Sequence, residues 1–215
     1  MSDSLTQATE PTLASILELH KDDIMYSLNC HQVGEIVSFD PSTQTAEVLI
    51  KMQRTVKGEI KDYPVLIDCP CIVLGGGEGR ITFPISAGDS CLVIFNDKDI
   101  DNWYDGGQKM PPRSQRLHDF ADAFALVGIR NRQNQISDYL ADGTEFKYKG
   151  SSIKLQDGKV TLSNGSATVT MDSTNVTIIG NVSITGTFMV NGKNVGDTHT
   201  HSGVTTGSGT TGGVV

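Results

Sequence analysis

Beyond Gly150 the chain contains no proline, no cysteine and no tryptophan, and its only aromatic there is Phe188. A segment of 65 residues with a single large ring rarely builds a core of its own. Basic clusters are absent throughout, which argues against a phosphate-backbone partner, because nucleic-acid binders rely on grouped Lys and Arg that displace counterions. The formal net charge is −8 and falls before Gly150, since Lys154, Lys159 and Lys193 balance Asp157, Asp172 and Asp197 afterwards. No run approaches the ~20 apolar residues of a membrane helix, and Met1-Ser2-Asp3-Ser4 lacks the basic start of a secretory segment, so a soluble product is expected. The four cysteines form no CxxC pair. Cys69 and Cys71 stand two apart in a Val-, Ile- and Leu-rich stretch, on one face of a strand. All four cysteines read as reduced, buried thiols rather than as a disulfide or zinc site.

What is present before Gly150 is turn chemistry between short apolar runs. Leu13, Ile16, Leu17, Ile24 and Leu28 recur at near-helical spacing after Pro11, which suits a first helical position; this predicts a short leading helix for docking or packing. Val33 to Phe39 and Ala46 to Gln53 flank Asp40-Pro41-Ser42-Thr43 and read as a hairpin. Strands are expected over Pro64 to Leu74, Arg80 to Pro84 and Ser90 to Asn96. Gly75-Gly76-Gly77-Glu78-Gly79 is a hairpin turn, because no Gly-Lys-Ser/Thr follows to make a phosphate loop. Five or six such strands suit a small Greek-key barrel, about 95 residues long. Asp97, Asp99 and Asp101 alternate as a calcium loop would, without its glycine and closing glutamate, and read as a solvated loop.

After a polar connector the pattern changes to period two: Ile153 and Leu155, Val160 and Leu162, Val169 and Met171, Val176 and Ile178, Val182 and Ile184, Phe188 and Val190. Breaks at Asp157-Gly158, Asn164-Gly165, Gly180-Asn181, Gly186 and Asn191-Gly192 limit each strand to a few residues, as in a β-solenoid or β-helix array. Each strand carries one apolar face with nothing to cover it. Three identical chains round one axis would supply a shared core and remove exposed edges. About seven strands per chain at ~4.8 Å would make each face roughly 30 Å tall, comparable with a bilayer's hydrocarbon core.

Asp197-Thr198-His199-Thr200-His201 follows the last strand. In an extended chain His199 and His201 point the same way. In a monomer they would be two solvated side chains on a fraying end; on a threefold axis they become six nitrogens, suited to octahedral Fe(II), Ni(II) or Co(II) and not to tetrahedral zinc. Gly203 to Val215 reads as either a flexible tail or a fold-back cap.

These residues resemble a known family, the membrane-puncturing central spikes of phage baseplates and of contractile injection machines. The resemblance lies in Val37-Ser38-Phe39-Asp40-Pro41-Ser42-Thr43-Gln44-Thr45-Ala46, Tyr63-Pro64-Val65-Leu66, Thr82-Phe83-Pro84-Ile85 with Gly88-Asp89, Asp99-Ile100-Asp101-Asn102-Trp103, Arg116-Leu117-His118-Asp119 with Ala121-Asp122-Ala123-Phe124, and the Thr-His-Thr-His end. It departs at the tip, where related chains often carry a proline and none follows Pro112 here.

The resemblance implies an all-β chain: an N-terminal helix or arm over 1–30, an OB-type barrel over 31–130, a connector over 131–150, an intertwined trimeric β-helix shaft over 151–196 and a metal-binding apex over 197–215. It further implies one iron ion per trimer, held by His199 and His201 of each chain. The homotrimer would meet a tail hub protein through its N-terminal domain, and would be driven through the host outer membrane as the sheath contracts. The virion tail baseplate would be its location, after assembly in the host cytoplasm. His118, Asp119 and Asp122 receive no catalytic role, and no enzyme activity is expected. The alternative is a receptor- or glycan-binding tail fibre tip, although the shaft lacks the Trp and Tyr platforms that sugar sites use.

Overall fold

The computed structural model describes residues 11–56 and 58–196 together with Gly203 and Gly207. The chain divides into two compact units, Met1–Gln135 and Ile136–Val215. The described residues are mostly β, with two helices among them. Among the described residues no helix is long and apolar enough to cross a membrane.

In the first unit, helix α1 runs over Leu13–Ser27. Thr12 is its N-cap, in extended conformation, and its Oγ1 accepts the Ser15 N–H at 3.2 Å. Pro11 therefore precedes the cap instead of opening the helix: the hydroxyl one residue later satisfies an orphan N–H, which proline cannot do. No residue of α1 is buried.

The strands that follow are β1 (His31–Asp40), β2 (Thr45–Ile50), β3 (Gln53–Val56), β4 (Glu59–Asp62), β5 (Leu66–Pro70), β6 (Leu74–Gly76), β7 (Gly79–Ile81), β8 (Ser90–Phe95) and, after a short helix α2 (Asp101–Gly106), β9 (Ala123–Val127). Five of them form an antiparallel sheet in the order β5-β2-β1-β8-β9. β3–β4 and β6–β7 are separate hairpins. The β1–β2 hairpin turns where Asp40 Oδ1 accepts the Ser42 N–H at 2.8 Å, and the glycine run is the β6–β7 turn.

The sheet curls into a half-barrel. Its two ends approach where Cys71 bridges Ala125, with the Ile72 N–H donating to Ala125 O at 2.9 Å and the Cys71 N–H to Gln44 O at 2.9 Å. β5 ends at Pro70 and the expected Pro64-to-Leu74 strand is split, because past the β2 ladder the chain turns to meet β9 at Ala125. The strand expected over Arg80 to Pro84 likewise stops at Ile81. Inside the curl, Ile36, Val48, Cys91, Val93 and Ala125 are almost wholly buried. Gly34 makes this closeness possible: a Cβ there would lie 2.7 Å from Val48 Cγ1 and 2.9 Å from Val93 Cγ2. Phe120 sits edge-on to Tyr63 and Phe95, at ring separations of 5.6 and 5.8 Å.

The second unit is an antiparallel meander of β10 (Gly143–Tyr148), β11 (Ser151–Gln156), β12 (Lys159–Ser163), β13 (Thr168–Met171) and β14 (Val176–Ile179), each paired with the next in sequence. A small hairpin of β15 (Met189–Val190) and β16 (Lys193–Asn194) follows. β10 occupies the end of the stretch read as a polar connector; Phe146 and Tyr148 alternate there with lysines, which is strand spacing. The β11–β12, β12–β13 and β15–β16 turns fall where the composition indicated, whereas the β13–β14 turn between Asp172 and Asn175 has no glycine to mark it. Gly158 and Gly165 take positive φ, and Asn191-Gly192 turns β15 into β16 with φ of 50° and 77°, the left-handed pair a two-residue hairpin requires. Asn164 Oδ1 and Asp172 Oδ1 each accept two backbone N–H groups of the turns that follow them. Val182 and Ile184, expected in a strand, belong to none within the chain, because the meander ends at Ile179.

Candidate functional site

His199 and His201, the metal ligands expected from the sequence, lie outside the described residues. The feature that the structure does build in the second unit is a face. In the register of the meander, Phe146 stands opposite Ile153, Ile153 opposite Leu162, Leu162 opposite Val169 and Val169 opposite Ile178. A second row runs Thr144, Leu155, Val160, Met171 and Val176. Because side chains alternate across a strand, both rows lie on the same face, and the sheet carries two apolar ladders side by side, the first from β10 and the second from β11. The opposite face carries Glu145, Lys154, Thr161, Thr170 and Thr177 in one row and Lys147, Ser152, Ser163, Thr168 and Ile179 in another.

An ordinary half-buried sheet covers its apolar side; here that side is largely open, with Val160 and Val169 half-buried and the rest of both apolar rows exposed. Along β11, Ser152, Lys154 and Gln156 are half-buried while Ile153 and Leu155 are exposed. None of the described residues of this unit is buried. The apolar ladders are therefore built and aligned but uncovered, and covering them would add roughly 1 kcal/mol for each half-exposed side chain.

In the first unit the strongest electrostatic feature surrounds Arg116. Its Nη2 lies 2.9 Å from Asp122 Oδ1, 3.0 Å from Asp101 Oδ1 and 3.3 Å from Asp99 Oδ1, and its Nε donates to Asp122 Oδ2 at 3.1 Å. Asp122 and Asp99 are buried. The three carboxylates meet within 4.8 Å, and the guanidinium supplies the positive charge this spacing needs. The hydroxyl of Ser114 donates to Asp99 at 2.6 Å and, with the Asp101 N–H and Arg116, holds the Asp99 carboxyl below the usual carboxylate range. Hydrogen bonds to Asp122 and Asp101 push the Arg116 guanidinium up, so it stays charged. Only Asp97 of the alternating aspartates keeps the solvated character expected of all three, with its side chain 85% exposed. Asp99 is drawn inside by Arg116, a partner 17 positions further along the chain that local spacing does not reveal. The arrangement ties the α2 loop to β9. His118 and Asp119 take part in local bonding: His118 Nδ1 meets Asn29 O at 3.0 Å, and Asp119 accepts the Ala121 N–H.

Cys69, Cys71 and Cys91 are buried free thiols, whereas Cys30, on the linker after α1, is exposed and departs from the expectation of four buried cysteines. Burial, reinforced by the neighbouring thiols, pushes Cys69 up to about 12. Burial raises Cys91 to about 11, with Cys71 adding to it, and raises Cys71 as well.

No curated protein matches this chain. Residues 33–128, from within β1 to just past β9, match the family described as the phage protein Gp138 N-terminal domain. By that match the chain is similar to a phage structural protein of the tail, a component of the virion.

Proposed function

We propose that the chain is the central spike of a contractile tail baseplate, acting as a homotrimer that is forced mechanically through the host outer membrane. The observation that carries this reading is the pair of uncovered apolar ladders from β10 to β14. A sheet with an open apolar face is stabilised by a partner that covers it, and three copies of the same face closing on one axis form a shared core. Residues 181–187, which carry strand spacing without a strand partner among the described residues, would then pair between copies and intertwine the shaft. The half-barrel of the first unit would act as the OB-type collar that meets a tail hub protein, consistent with its phage-family match.

At the narrow end, His199 and His201 of each chain would hold a single iron ion. Six neutral imidazoles suit octahedral Fe(II), and the ion would cross-link three chain ends at the point where force concentrates. The function requires no turnover: the chain's residues form a rigid, closed shaft, and the work comes from sheath contraction.

The test is solution mass measured together with bound metal. Three chains of 23.1 kDa and one iron per three chains are expected. A metal-free monomer in dilute solution would refute the reading.

A further inference from the structure

Helix α1 carries Leu13, Leu17, His20, Ile24 and Ser27 at successive intervals of four, three, four and three residues. That mean repeat of three and a half is the spacing of a coiled-coil seam. The charged residues Glu18, Lys21, Asp22 and Asp23 fall off this line. The seam is uncovered, with Leu13, Leu17 and Ile24 exposed by 73%, 58% and 49%. A helix of 15 residues alone in water is marginal.

Its root, in contrast, is held firmly. Asn29 Nδ2 donates to His118 O at 3.0 Å, His118 Nδ1 meets Asn29 O at 3.0 Å, and the Phe95 N–H donates to Cys30 O at 3.0 Å. The exit of α1 from the first unit is thus fixed while its apolar line has no partner within the described chain.

We propose that three copies of α1 pack along this seam as a short parallel three-helix bundle, a second point of closure in addition to the shaft. The proposal rests on the threefold reading above, because a threefold axis makes the helices parallel and brings identical seam residues to one height. The polar seam positions favour self-association over a foreign apolar groove. His20 and Ser27 would each meet their own equivalents in a layer, where a polar seam residue sets register at a cost in stability. An apolar groove on another protein would desolvate the imidazole without a partner.

The experiment uses the full-length chain and reads solution mass beside hydrogen exchange of the amides of residues 13–27. A three-chain species with slowed α1 exchange is expected. His20→Ile should slow that exchange at least tenfold further, and Leu17→Asp with Ile24→Asp should return it to the rate of a free peptide while the mass stays at three chains. A three-chain species whose α1 amides exchange freely, or are indifferent to His20→Ile, would overturn the bundle alone and point to a foreign partner for α1. A single-chain mass would overturn both the bundle and the spike.

Discussion

Phe146 stands directly opposite Ile153 across β10 and β11, and the two side chains are 45% and 44% exposed on the same open face. A cross-strand apolar pair of this kind is the unit by which a sheet is stabilised. Here it stabilises little until something covers it.

Assembly should therefore depend on this face. Ile153→Asp combined with Leu162→Asp places charges at the centre of the first ladder, and light scattering after gel filtration is expected to show single chains. The first unit should keep its β-rich circular dichroism. Lys154→Asp on the opposite face should leave the mass at three chains; equal dissociation by both changes would contradict the assignment of the inner face.

The core of the half-barrel gives an independent test. Gly34→Ala forces a methyl group against Val48 and Val93, and overpacking of this sort costs about 1–3 kcal/mol. Ile36→Ala leaves a cavity and is expected to cost about 2–5 kcal/mol. Urea unfolding of the first unit should show both as lowered midpoints with unchanged slope.

Thiol labelling should separate the cysteines. In the folded protein at neutral pH a maleimide is expected to modify Cys30 and to spare Cys69, Cys71 and Cys91 until urea opens the barrel. Their raised pKa values also set a sign. The buried thiols stay protonated when folded but ionise on unfolding above about pH 9, so their contribution to stability is present below that pH and is lost as pH climbs toward about 12. Denaturation midpoints should fall over that alkaline range, and replacing Cys69 by Ala should reduce that fall.

Acid should act through Asp99. Its folded pKa lies below the ordinary value of 3.8, so its contribution is present above about pH 4 and disappears as pH drops through the folded value. Asp99→Asn is expected to be less stable than the parent at pH 7 and to lose less of its remaining stability between pH 4 and pH 2. Arg116→Met, which leaves the buried Asp122 without its cation, should lower the midpoint at pH 7 more than either partner's surface neighbours do. Thermal melts across pH would show both.

If His199 and His201 hold the proposed iron, His199→Ala with His201→Ala should abolish it by elemental analysis while the melting transition of the first unit stays unchanged. Iron retained by the double variant would remove these two residues as its ligands.

Much of the strand pattern was legible without coordinates because its causes are local. Alternation of Ile153, Leu155, Val160 and Leu162 with polar neighbours dictates period two, and Asp157-Gly158 and Asn191-Gly192 dictate where the chain reverses. The same locality explains the failures. Thr12 displaced Pro11 at the helix start through one hydroxyl, and β10 was hidden because Phe146 and Tyr148 lie among charged residues. Nothing near Asp99 in the chain announced Arg116.

The amino-acid sequence by itself determined that there are two dissimilar parts, that the second is made of short alternating strands, and that it is poor in large side chains. Only the tertiary structure decided that the first sheet closes through Cys71 and Ala125, that Asp99 is buried, and that the ladders from Phe146 to Ile178 share one open face. The reason is range: backbone preference and side-chain alternation act over a few residues, whereas curl, burial and ion pairing are settled by residues that meet only after the chain has folded.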